Sequence, residues 1–308
     1  MALSIQHLLG LEGVSKEDIT LILDTADGFY RILQRAIKQV PTLRGKTVVN
    51  LFYETSTRTR LSFELAEKRL SANPIGFTAQ QSSMKKGENL RDTIRNIEAM
   101  KIDMVVVRHS SPGVPLFLTQ VTSAVIVNAG DGSHEHPTQA LLDMMTIRQK
   151  LGRLAGLKVA IVGDILHSRV ARSNAWGMSA MGMDVTLCGP PTMLPQHPEG
   201  LPVKTTDNID EAIHDADVVM LLRLQLERQG AGLFPSIREY RERYGLDLDK
   251  VAKLKPDVVI MHPGPINRGI ELASNVADGP HSVILDQVTN GVAVRMAVLY
   301  LLGGGVEE

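Results

Sequence analysis

The chain has 308 residues, 44% of them hydrophobic, and its 33 Lys and Arg against 34 Asp and Glu leave a formal charge of -1. That length holds two ordinary α/β domains whose cores need neither disulfides nor structural metal. The balanced charge and an aromatic content of 4% exclude the basic surplus and stacking platforms of a nucleic-acid binder, and the single cysteine, Cys188, excludes an intrachain disulfide or a Cys-rich zinc site. From residue 47 onward, short β-branched runs alternate with longer amphipathic stretches. TVVNLFY (Thr47–Tyr53), PIGFTA (Pro74–Ala79), DMVVVRH (Asp103–His109) and SAVIVNAG (Ser123–Gly130) predict strands. Between them, Arg58–Leu70 has helical period with Leu61, Leu65 and Ala66 on one face, and Glu88–Met100 groups Leu90, Ile94 and Ile97. A long helix is expected from Pro137, then a hinge near Lys150–Lys158. A second strand series follows: Leu157–Asp164, Met183–Pro190, Ala216–Leu222 and Pro256–Pro263.

Near-continuous Val/Ile runs suit strands buried on both faces, as in parallel sheets flanked by helices. The expected fold is α/β, with two doubly wound parallel-sheet domains. The first domain covers residues 1–150 and the second 151–308. No apolar run approaches the roughly 18 residues of a membrane span, and the N-terminus MALSIQHLLGLEGVSKED lacks a basic n-region and cleavage site. A soluble cytoplasmic protein with no membrane or nucleic-acid partner is therefore expected.

Three motifs fail on inspection. Gly45-Lys46-Thr47 echoes the end of a Walker A loop, but the first glycine is missing and a strand follows. VAIVGD looks like a Rossmann first strand, yet the chain contains no G-x-G-x-x-G, so no dinucleotide cofactor is expected. His134-Glu135-His136 is not H-E-x-x-H and reads as a polar turn, so no metal is expected. Cys188, at the end of an apolar run, reads as a small buried residue.

In open α/β sheets, ligands bind beyond the carboxyl ends of the strands, which directs attention to the residues after each one. In FYETSTRTRLSFE (Phe52–Glu64), Ser56, Thr57, Arg58 and Thr59 fall where strand gives way to helix. Free N–H groups, hydroxyls and a forked guanidinium there suit an anion. The same residues fit an ordinary Ser/Thr cap followed by a solvated arginine. Arg108 ends another strand, and in GDGSHEHPTQALLD (Gly130–Asp143) a Gly-rich turn leads to His136, Pro137 and Gln139 at a helix start, where Pro137 suits the first position. Alone, His136 and Gln139 also read as residues that hydrogen-bond the turn.

STRTR followed by HPTQ, with an arginine between them after a strand, resembles the transcarbamoylase family. SSMKKGENLRDT (Ser82–Thr93), HSRVARS with Arg169, LLRLQLER (Leu221–Arg228) and HPGPINRGIE (His262–Glu271) make the chain similar to its aspartate branch across nearly the whole length. The resemblance implies a carbamoyl-phosphate-binding first domain (1–150) and an aspartate-binding second domain (151–308), with the active site in the cleft between them and a C-terminal helix at about 290–303 packing back on the first. It implies that Ser56, Thr57, Arg58, Thr59 and Arg108 grip the phosphate, and that Arg58, Thr59 and His136 point at the carbamoyl oxygen. Gln139 and the backbone around Gly264 and Pro265 would bind the carbamoyl amide, and Arg169, Arg223 and Gln225 the two carboxylates of L-aspartate. Ser82 and Lys86 would arrive from the neighbouring subunit of a homotrimer with shared active sites; read bare, that Lys-Lys-Gly stretch is a solvated turn. Glu54, bare, is a surface carboxylate, and the family pattern suggests that it pairs with Arg169 or Arg228 across the cleft. HPGP replaces the HPLP of some relatives, a change that bears on loop rigidity more than on identity, because carbonyl contacts tolerate glycine.

The implied chemistry is transfer of a carbamoyl group from carbamoyl phosphate to the amine of L-aspartate, an early step of pyrimidine synthesis, with no cofactor. Neither a nucleophilic triad nor a reactive cysteine is needed when the carbonyl is already activated. The ornithine branch is the nearest rival, but it typically shows HPCQ and HCLP where this chain has HPTQ and HPGP. A nucleotide-dependent oxidoreductase, prompted by VAIVGD, and an inactive scaffold with every expected polar position occupied are the rivals from other classes. A regulatory or dihydroorotase-like partner chain is left open by the sequence.

Overall fold

The computed structural model describes residues 2–78, 89–196, 198, 200–224 and 234–304. They divide into two units, Met1–Leu142 with Thr289–Glu308, and Asp143–Val288. The first unit holds a parallel sheet of β1 (Thr47–Phe52), β2 (Asn73–Thr78), β3 (Met104–His109) and β4 (Val125–Asp131), in the order β2-β1-β3-β4. Its helices are α1 (Lys16–Leu33), α2 (Thr57–Arg69), α3 (Leu90–Ala99) and α4 (Val114–Thr119). α5 (Pro137–Leu151) begins in this unit, and α11 (Ile284–Leu302) belongs to it from residue 289 onward. Leu51, Val105, Val107 and Ile126 of the sheet are fully buried against Ile94 of α3 and Leu118 of α4. Each such side chain contributes about 1.5–3 kcal/mol by leaving water.

The second unit carries β5 (Lys158–Val162), β6 (Asp184–Cys188), β7 (Lys204–Thr206), β8 (Val218–Leu221) and β9 (Val259–Met261), again all parallel, in the order β7-β6-β5-β8-β9. Around them lie α6 (Arg169–Ala180), α7 (Ile209–Ile213), α8 (Ile237–Tyr244), α9 (Leu248–Val251) and α10 (Ser274–Ala277). Cys188 joins Val162, Leu221, Tyr240 and Ile260 in this core, and burial pushes its thiol up to about 12, as expected of an inert cysteine. No described helix is long and apolar enough to cross a membrane.

Two expectations need correction. On α2, Leu61 and Leu65 are 54% and 40% exposed, and the buried face is Phe63, Ala66 and Glu67. The last strand is also shorter than Pro256–Pro263, because Val258 N–H closes a turn on the Lys255 carbonyl before β9 starts.

Strand order fixes where a ligand site can form. From β1 the chain moves outward to β2, then returns past β1 to β3, so the order reverses between β1 and β3. In the second unit it moves from β5 out to β6 and β7, then returns to β8, reversing between β5 and β8. The crevice beyond the strand ends at such a reversal is where open α/β sheets bind ligands.

Candidate active site

In the first unit, the loops after β1 and β3 flank the reversal. Tyr53 N–H donates to the Arg108 carbonyl at 2.8 Å, which holds the two loops side by side. Ser56 is the N-cap of α2 but makes no side-chain capping bond, so the ordinary-cap alternative does not describe it. Thr57 and Arg58 are exposed, and Ser56 and Thr59 half-buried, at a helix N-terminus whose first N–H groups and dipole favour an anion. Arg108 donates to the Ala129 carbonyl at 3.0 Å and pairs with Glu54 at 3.2 Å. Glu54 thus has a partner within its own unit, Arg108, where the family pattern suggests Arg169 or Arg228.

The turn after β4 supplies the next residues. Asp131 is buried and accepts from Gly113 N–H, Asn128 and Glu135 N–H at 2.8, 2.8 and 3.1 Å, with His134 at 3.1 Å. Burial pushes the Asp131 carboxyl up, but His134, Asn128 and the Gly113 N–H outweigh it and hold the carboxyl below its ordinary value. This pinned turn delivers His136, which is buried, just before α5, and Gln139, half-buried, in its first turn. Gln139 N–H donates to the His136 carbonyl at 2.9 Å. The Glu135 carboxylate accepts from Leu11 and Glu12 N–H at 2.8 and 3.1 Å, fastening the N-terminal segment to the same turn. Glu12, His134 and Glu135 bring three possible metal-ligand atoms within 4.8 Å of one another, although the Glu135 carboxylate already serves those two N–H groups.

In the second unit, Gly163 follows β5 at φ +143°, and a Cβ there would lie 2.8 Å from Leu222 Cβ. The loops after β5 and β8 therefore touch only because residue 163 has no side chain. Ser168 caps α6 by accepting from Ala171 N–H at 3.2 Å, which sets Arg169, only 6% exposed, at the first helical position. Arg223 follows Leu222 on the other side of the reversal. His167, not singled out in the sequence, pairs through Nδ1 with the buried Asp164 at 2.9 Å in the same loop. Gly264 and Pro265 follow β9, which neighbours β8, and Asn267 donates to the Leu224 carbonyl at 3.1 Å.

Each unit therefore gathers its own predicted residues at the carboxyl ends of adjacent strands. Ser56, Thr57, Arg58 and Thr59 follow β1, Arg108 is the penultimate residue of β3, His136 and Gln139 follow β4, and Arg169, Arg223, Gly264 and Pro265 follow β5, β8 and β9. Ser82, Lys86, Gln225 and Arg228 lie outside the described residues. The polar network behind the Gly264 loop was missed in the sequence, because its members are scattered between residues 143 and 287.

Two family models match the chain. That of the aspartate/ornithine carbamoyltransferase carbamoyl-P binding domain matches residues 6–149, and that of the Asp/Orn binding domain matches residues 155–302. The chain is 58% identical over 305 residues to an aspartate carbamoyltransferase catalytic subunit of Syntrophotalea carbinolica, covering 99% of this chain and 97% of the relative. It is 56% identical to the protein of that name from Flavobacterium johnsoniae, covering 99% of each. Among solved structures, aspartate transcarbamoylase from Trypanosoma cruzi in complex with carbamoyl aspartate and phosphate superposes with a TM-score of 0.87 at 30% identity, covering 96% of this chain and 95% of that one. Ornithine carbamoyltransferase from Pyrococcus furiosus superposes with a TM-score of 0.88 at 31% identity, covering 100% of both. Backbone similarity thus does not separate the two acceptors, whereas sequence identity favours the aspartate relatives.

Proposed function

The chain belongs to the aspartate/ornithine carbamoyltransferase family, and from that premise we infer that it transfers the carbamoyl group of carbamoyl phosphate to the amine of L-aspartate, giving N-carbamoyl-L-aspartate and phosphate. The observation that carries the choice of acceptor is the pair of Arg169, at the start of α6, and Arg223, after β8, beyond the two strands whose following residues Gly163 and Leu222 meet. Two guanidinium groups suit an acceptor with two carboxylates, and a cationic ornithine side chain meets Arg223 unfavourably. Gln225 completes this set.

In the first unit, Ser56, Thr57, Arg58, Thr59 and Arg108 bind the phosphate. Arg58, Thr59 and His136 donate to the carbamoyl oxygen as it becomes an oxyanion, and Gln139 with the Gly264 and Pro265 backbone binds the amide. The aspartate amine attacks the carbamoyl carbon, a C–N bond forms, the C–O bond to phosphate breaks, and the departing phosphate takes the amine proton. Catalysis rests on positioning two anions together and stabilising the oxyanion, which is why arginines dominate the set.

Ser82 and Lys86 reach the site of a neighbouring copy in a homotrimer. The relatives' designation as catalytic subunits supports an oligomer, as do the exposed Leu61, Leu65 and Ile75 of the first unit. A native mass of one or two chains would contradict the trimer. A regulatory or dihydroorotase-like chain is a further partner compatible with that designation.

Kinetics with both substrates varied tests the division of labour. Arg223→Ala is expected to raise the KM for aspartate by about 10- to 100-fold, the loss of one charge-assisted contact, with carbamoyl phosphate binding nearly unchanged. Arg58→Ala is expected to lose carbamoyl phosphate binding. Equal losses of both substrates in both variants would count against the assignment.

A further inference from the structure

Behind the Gly264 loop lies a buried polar chain that the mechanism above does not use. His262 and Glu271 have side chains with 0% exposure. Gly264 N–H donates to His262 Nδ1 at 2.8 Å. A backbone N–H only donates, so Nδ1 carries no proton and the imidazole proton sits on Nε2. Nε2 faces Glu271 Oε1 at 3.3 Å, and the same oxygen accepts Asn267 N–H at 2.6 Å. The loop is therefore fastened at Gly264 and at Asn267 to one buried pair.

The pair is itself held in place. His262 N–H donates to Gln287 Oε1 at 3.1 Å, Gln287 Nε2 donates to Asp143 Oδ1 at 2.8 Å, and Asn174 donates to Asp143 Oδ2 at 2.8 Å. Burying a carboxylate and an imidazole costs more than packing apolar residues of the same size, so stability alone does not account for them. What the arrangement does is fix the direction of the backbone between residues 262 and 267.

We propose that His262, oriented by Glu271, is a positioning residue for carbamoyl transfer, aiming the backbone carbonyls around Gly264 at the carbamoyl amide. This rests on the reading that the loop binds that amide. The imidazole acts through the Gly264 N–H and touches no substrate.

The test compares dissociation constants for carbamoyl phosphate and for inorganic phosphate, which has no amide, on the full-length protein. An asparagine keeps an acceptor near the Nδ1 position and a glutamine keeps a donor near Nε2. His262→Gln is expected to weaken carbamoyl phosphate by about tenfold while leaving inorganic phosphate unchanged, and His262→Asn is expected to keep the ratio of the two within about threefold of wild type. A general folding defect does not separate the two ligands. If His262→Gln keeps the wild-type ratio, or His262→Asn loses it equally, the positioning role is overturned. Should His262→Gln fail to fold, Glu271→Gln carries the test: a drop in the ratio of about threefold is expected, and an unchanged ratio overturns the proposal. Failure of the carbamoyl-transfer reading is distinct, because the wild type would then neither bind carbamoyl phosphate nor carbamoylate an amine.

Discussion

Glu67 shows what burial costs at the scale of one residue. It is fully buried on α2, and Asn50 Nδ2 donates to its Oε2 at 2.7 Å. Burial pushes its carboxyl from 4.5 up to about 8, with the Asn50 hydrogen bond opposing the shift. The folded chain therefore holds this proton more tightly than the unfolded chain. The resulting stability is fully present below about 4.5 and is lost as pH rises through about 8. Glu67→Gln is expected to flatten that dependence, leaving the variant more stable than wild type at pH 9 by an amount on the order of a few kcal/mol and nearly equal to it at pH 5. Urea unfolding at the two pH values measures this; parallel wild-type and variant curves would contradict it. In the sequence, Glu67 looks like any helical surface acid. STRTR and HPTQ were legible because their chemistry is contiguous, whereas His262 and Glu271 acquire meaning only when the loop folds over them.

Among the elements, the near-continuous Val/Ile strands were read well because both faces of a parallel sheet are buried and hydrophobicity alone marks them. β7 escaped notice because Lys204, Thr205 and Thr206 form a short polar edge strand, with Lys204 and Thr205 exposed. α2 was found but turned the wrong way, since apolar residues lie on more than one of its faces and periodicity does not choose between them. Gly163 ties an element-scale feature to the proposed acceptor site. Gly163→Ala puts a Cβ against Leu222, and the loop that begins with Leu222 and carries Arg223 has to shift. A loss of about 1–3 kcal/mol in stability is expected, with a raised aspartate KM and unchanged carbamoyl phosphate binding. Unchanged aspartate kinetics in a folded Gly163→Ala protein would show that the close approach does not set the acceptor site.

For the whole molecule, two parallel sheets repeat one arrangement, a reversal of strand order with cationic residues beyond it. Arg58 and Arg108 flank the first reversal, and Arg169 and Arg223 the second. The chain passes between the units inside two helices, after Leu142 in α5 and after Val288 in α11, rather than in a Gly- or Pro-rich linker. Continuous helical sequence carries no mark of such a division, so composition points to the nearby KLGRLAGLK stretch instead. Backbone shape leaves the acceptor open, since an aspartate transcarbamoylase and an ornithine carbamoyltransferase superpose on the chain with TM-scores of 0.87 and 0.88, and we assign the choice to residues at and beyond the strand ends. Carbamoyl transfer from carbamoyl phosphate to aspartate and to ornithine, measured side by side as kcat/KM on the wild-type protein, tests this most directly. The prediction is a preference for aspartate of at least about a hundredfold, with carbamoyl aspartate as product; ornithine turned over as well as aspartate, or better, would contradict it.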